Sequence, residues 1–77
     1  MTAYFRSVDP TRNRFRWYSL RLQPCLFGGV DLIRAWGRLG QHGGTERVDH
    51  FPDEQTATAR VSRAIRVRER RQYVRVA

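Results

Sequence analysis

Arg34-Ala35-Trp36-Gly37-Arg38-Leu39-Gly40 sets an indole, a glycine and a guanidinium side by side, just before a glycine-rich turn. An indole offers a flat face on which a base or sugar can stack. A guanidinium is a planar fork of donors that matches phosphate oxygens. Glycine removes the side chain between them, so a ligand backbone can come close. Trp36, Gly37 and Arg38 are therefore the first candidates for holding a nucleotide and its phosphate. Each also has a purely structural use, Trp36 as a sheet residue filling a core and Arg38 as a solvated charge beside a turn.

The charge of the whole chain favours the binding role. It carries fifteen Arg, no Lys and seven acidic residues, for a formal net charge of +8 and a pI near 11.4. Codon bias in a genome rich in G and C explains Arg in place of Lys, but not the excess of bases over acids. Such an excess attracts polyanions through phosphate contacts and counterion release. Nucleic acid is the expected partner, DNA before RNA. The alternative is a protein-interaction adaptor whose arginines dock an acidic partner protein. Arg16, Arg34 and Arg47 are further candidates for a basic binding patch. From Arg60 to Arg75 there are seven Arg against one Glu; these widen a phosphate track or simply solvate a helix face.

Other chemistries find no support. Cys25, His42 and His50 lack the paired spacing of a metal site, so no metal and no cofactor are expected. Cys25 follows Pro24 and reads as a packed small side chain, with no base and acid arranged around it for nucleophilic catalysis. The glycines at 40–44 lack the lysine and the strand-to-helix setting of a phosphate-binding loop. No enzymatic activity is expected.

The elements that must position these residues follow from hydrophobic periodicity. A short strand over 3–8 ends at the turn residues Asp9-Pro10-Thr11-Arg12-Asn13. The clearest strand spans 15–23, where Tyr18, Leu20 and Leu22 alternate with Ser19, Arg21 and Gln23. Phe15 and Trp17 are out of phase with that set, which calls for a bulge near Trp17 or a strand covered on both faces at one end. A third strand over 30–37 places Arg34, Trp36 and Arg38 on one side, with Ile33 and Ala35 opposite. Residues 45–51 return as a fourth strand after the glycine-rich connection. Asp53 then caps a helix whose buried stripe runs Ala57, Val61, Ala64, Ile65 and the stem of Arg68. Tyr73-Val74-Arg75-Val76 closes the sheet as a short last strand. The expected fold is α+β: a small antiparallel sheet of four to five strands with one C-terminal helix packed on one face.

At 77 residues with nine aromatics, the chain is expected to be a single domain, residues 1–77, with one compact core, and a monomer. One cysteine excludes an internal disulfide and fits a reducing, cytoplasmic setting. No apolar run is long enough for a membrane span, and the first residues lack the pattern of a secretory signal.

The order of features resembles the WGR domain, a small module found in poly(ADP-ribose) polymerases and as stand-alone bacterial proteins. The resemblance rests on Asp9-Pro10 and Asn13, Arg16-Trp17-Tyr18-Ser19-Leu20, Leu22-Gln23-Pro24, Leu26-Phe27-Gly28, Leu32 to Gly40, Gly43-Gly44, Arg47-Val48 and the basic helix ending in Arg70-Arg71-Gln72-Tyr73. It covers Ser7 to Tyr73. It implies the same sheet-plus-helix fold and binding near a 5′ end of broken DNA. On this chain, Trp36 would stack on the terminal nucleotide and Arg38 would bind backbone phosphate; Arg16 stands where the family often has a basic residue before two aromatics, and Asn13 is a further candidate nucleic-acid contact. Two positions depart from the family pattern: Phe15 stands where an Asn commonly precedes the basic residue, and Gln72 where a Gly commonly precedes the final Tyr. No catalytic domain accompanies these residues, so the resemblance implies no synthesis of poly(ADP-ribose).

Overall fold

The computed structural model covers residues 1–77. Its elements are β1 (Thr2–Asp9), a single 3-10 turn (Pro10–Arg12), β2 (Arg14–Pro24), β3 (Val30–Arg38), β4 (Thr45–Phe51), α1 (Glu54–Arg70) and β5 (Val74–Arg75). The strands form one antiparallel sheet in the order β4-β3-β2-β1-β5. The α+β layout expected from the periodicity is the one observed.

Alternation along the strands divides the sheet into two faces. Ala3 and Phe5 of β1, Tyr18 and Leu20 of β2 and Leu32 of β3 are buried on one face, where Val61 and Ala64 of α1 join them. Leu22, Trp36, Phe51, Ile65 and Tyr73 are partly buried against this cluster. Removing a fully buried Leu20 or Leu32 would cost about 2–5 kcal/mol, as for other leucines truncated to alanine in a packed core. The helix begins where Asp53, in extended conformation, accepts the backbone N–H of Thr56 at 2.7 Å.

The opposite face has no covering layer, and it settles the phase problem in β2. Pairing with β1 runs unbroken from Asp9↔Arg14 to Thr2↔Arg21, and pairing with β3 runs from Arg16↔Arg38 to Pro24↔Val30. There is no bulge at Trp17. Phe15 and Trp17 lie on the open face and find cover there. The Trp17 ring stacks on Tyr4 at 6.3 Å between centroids with 16° between planes. The Arg38 guanidinium sits 5.7 Å from the centre of Phe15.

The helix ends in a left-handed cap. Gln72 has φ 65°, Tyr73 N–H donates to Arg68 O at 2.9 Å, and Gln72 N–H donates to Glu69 O at 3.1 Å. This bond pair usually places glycine at the left-handed residue. Gln72 therefore stands at a position whose backbone geometry glycine would adopt without strain. The cap turns Tyr73 back over the sheet, where it meets Tyr18 edge-on at 6.4 Å.

Candidate nucleic-acid interface

Trp36 lies on the helix side of the sheet, opposite Tyr18 in the β2–β3 register, and stacks on Tyr18 at 6.2 Å with 22° between planes. It is half-buried rather than wholly consumed by the core. Arg16 and Arg38 are direct cross-strand partners and both are exposed. With Gly37, these residues line a cleft of 560 Å³ completed by Trp17, Arg68, Arg71 and Tyr73. A second cleft of 280 Å³ shares Arg16, Arg68, Arg71 and Tyr73 and adds Arg12, Arg14, Arg70 and Gln72. No carboxylate lines either one. The two clefts form a continuous basic surface at one end of the sheet.

Asn13 joins this site through structure rather than sequence proximity. It closes the 3-10 turn in the left-handed region at φ 52°, and its Oδ1 accepts a hydrogen bond from Arg38 at 3.1 Å. The turn itself is anchored by Asp9, which accepts from the Thr11 hydroxyl at 2.6 Å and faces Arg12 and Arg14. Bonds from the Thr11 hydroxyl and then the Thr11 backbone N–H, followed by the two guanidinium charges, hold the Asp9 carboxyl below its usual range.

Gly37 has a different physical reason from the one its sequence suggests. A Cβ at Gly37 would come within 2.9 Å of Trp17 Nε1 and 3.1 Å of Trp17 Cε2. The space beside this glycine is taken by the Trp17 indole, so the glycine admits a neighbouring ring of the same chain. Gly44 serves the same ring, since a Cβ there would lie 3.0 Å from Trp17 Cζ2.

Arg34 and Arg47 lie apart from the cleft. They are cross-strand partners, but Arg34 is half-buried and donates to Asp49 at 2.9 Å. Its charge is thereby committed within the sheet. Arg47 stays exposed on the edge strand β4.

Sequence reasoning missed Arg68 as a site residue. Its guanidinium lies 3.9 Å from the centre of Tyr18 and 5.4 Å from that of Tyr73. Its place in the apolar stripe of α1 was the available signal, because a long stem there carries the charged head to the rim of the core. The Nε atoms of Arg14 and Arg68 are buried without an acceptor.

The expectation that no base and acid stand around Cys25 needs correction. His42 stands alone, but Cys25 and His50 meet at Asp31. His50 Nδ1 is 2.8 Å from Asp31 Oδ1 and 3.6 Å from Cys25 Sγ. Bonds from His50 and then Cys25 hold the Asp31 carboxyl low, while partial burial and the adjoining carboxylate push the Cys25 thiol up. A raised thiol is a poor free nucleophile.

The WGR domain family matches residues 1–77. The chain belongs to the WGR family. WGR domains are non-catalytic nucleic-acid-binding modules. A relative from Sinorhizobium fredii (strain NBRC 101917 / NGR234), the uncharacterized protein y4dW, is 37% identical over 70 residues. That alignment covers 91% of this chain and 34% of the relative, so the chain spans about a third of that protein's length. No solved structure matches. No helix of this WGR domain is long and apolar enough to cross a membrane.

Proposed function

We propose that this WGR domain caps DNA ends or nicks at the basic cleft, Trp36 stacking on the terminal sugar or base and Arg38 holding a backbone phosphate. One observation carries the reading. Arg16, Trp36, Gly37 and Arg38, from two strands, line a single cleft with Arg68, Arg71 and Tyr73 and with no carboxylate among them.

Aromatic faces at the floor of a positive cleft suit a nucleotide, because stacking tolerates any base while the guanidinium groups follow the backbone. Asn13 orients Arg38 through its side-chain oxygen. The body of α1 packs on the sheet, and only its C-terminal arginines border the clefts. The exposed face of α1 carries Arg63 and Arg66 rather than a mixed set of Asn, Gln and Arg for reading base edges, which favours sequence-independent binding.

Fluorescence anisotropy at fixed moderate salt tests the proposal. It compares a 5′-phosphorylated duplex end, the same duplex with hairpin-closed ends, and single-stranded RNA, using the wild type and Trp36→Ala. The open end should bind best, and Trp36→Ala should remove that preference while retaining the far-UV circular dichroism of a folded protein. Equal binding of all three ligands by both proteins would overturn end capping and leave charge attraction alone. Absence of nucleic-acid binding would favour the acidic-partner adaptor.

A further inference from the structure

We infer that Cys25, Asp31 and His50 form a binding site for one zinc-class divalent cation. The donors come from three places that pairing brings together. Asp31 on β3 and His50 on β4 are direct cross-strand partners. Cys25 enters from the turn between β2 and β3, which is closed by Cys25 N–H to Gly29 O at 3.0 Å and Gly28 N–H to Cys25 O at 3.2 Å. One ligand atom from each residue lies within 4.8 Å of the other two.

The distances suit a small tetrahedral ion. With Zn–S near 2.3 Å and Zn–N near 2.0–2.1 Å, sulfur and nitrogen on one ion stand about 3.6 Å apart. Cys25 Sγ and His50 Nδ1 are 3.6 Å apart. The carboxylate and imidazole, now in a hydrogen bond at 2.8 Å, need to part by only about 0.5 Å to share the ion. Half-exposed side chains can make that adjustment by rotation.

The imidazole is also seated. Gly29 has φ +80°, and a Cβ there would lie 2.7 Å from His50 Cε1 and Nε2. The far edge of the ring therefore rests on the turn backbone, which leaves Nδ1 facing Cys25 and Asp31. This tight packing is a second observation independent of donor spacing.

The donor chemistry selects the ion. Thiolate and imidazole suit zinc and its neighbours, whereas calcium and magnesium prefer sets made wholly of oxygen. Three protein donors leave a fourth position for water. The site sits at the start of β3, about 20 Å along the strand from Trp36–Arg38 at the usual rise per residue. It stands or falls separately from the nucleic-acid reading.

The test uses untagged protein stripped with a chelator and titrated with zinc by calorimetry and with cobalt by absorbance. One equivalent should bind, and cobalt should give a thiolate charge-transfer band together with tetrahedral visible bands. Cys25→Ser should abolish the charge-transfer band. Cys25→Ser, Asp31→Asn and His50→Gln should each weaken zinc at least tenfold, whereas His42→Ala should change nothing. Circular dichroism confirms the fold of each variant, and His50→Gln carries the test if Cys25→Ser does not fold. Wild type without saturable binding, or Cys25→Ser and His50→Gln with the wild-type isotherm, would overturn the inference.

Discussion

Arg68 and Tyr18 form the tightest charged contact between helix and sheet, with the guanidinium carbon 3.9 Å from the ring centre. The helix cap brings Tyr73 to the same guanidinium, at 5.4 Å. A cation is thus held by two aromatic rings at the border of the core, and the same residue lines both basic clefts. Helix docking and the candidate binding surface share one side chain.

Arg68→Ala is therefore expected to lose about 1–3 kcal/mol of stability, from the cation–π contact and from stem packing together. Arg68→Met should recover part of that stability by restoring the packing, but none of the nucleic-acid affinity. Urea melts and anisotropy on the same preparations separate the effects. Equal recovery of both would show that the charge contributes nothing to binding.

Gly37→Ala should destabilise by about 1–3 kcal/mol through overpacking against Trp17. The ring cannot retreat freely, because Tyr4 stacks on it and Gly44 adjoins it. Trp17→Phe in the Gly37→Ala background should relieve much of the strain, giving non-additive losses in a double-mutant cycle. Strict additivity would mean that the glycine is required for some other reason.

Gln72 occupies the left-handed cap position with φ 65°. Its side chain offers only a long contact, accepting from Arg14 at 3.4 Å. Gln72→Gly should stabilise the domain by roughly 0.5–1 kcal/mol, as relief of backbone strain outweighs the added flexibility of the unfolded chain. Thermal melts give the sign directly, and a lower Tm would refute it.

Acid should weaken the start of the helix. The Thr56 backbone N–H, followed by its side chain, holds the Asp53 carboxyl below its ordinary 3.8. A carboxylate lowered on folding adds stability above its unfolded pKa, and that stability is lost as pH falls through the lower folded value. Asp53→Asn retains a capping oxygen that does not titrate. Its stability curve below pH 3.8 should be flatter than that of wild type. Superimposable curves would exclude this cap as a source of acid sensitivity.

Local sequence determined a large part of this molecule. Alternation of Tyr18, Leu20 and Leu22 defines one apolar face of β2, and the same rule sets Trp36 and Arg38 together on one side of β3. Asp53 marks the helix start because a cap is a contact across three residues. The Arg excess defines the class of partner. These are all short-range or whole-chain properties, readable without knowing which strands pair.

Strand register decided the rest. It set Gly37 opposite Trp17, so the glycine serves an indole twenty positions upstream. Register also placed Asp49 within reach of Arg34, neutralising one predicted binding residue, and brought His50 onto Asp31 beside Cys25. It gave Trp17 cover without a bulge. Such contacts join residues far apart in the chain, and shifting one strand by a single position would turn its side chains to the other face. Only the joint packing of five strands and one helix selects the register, so only the tertiary structure identifies the neighbours.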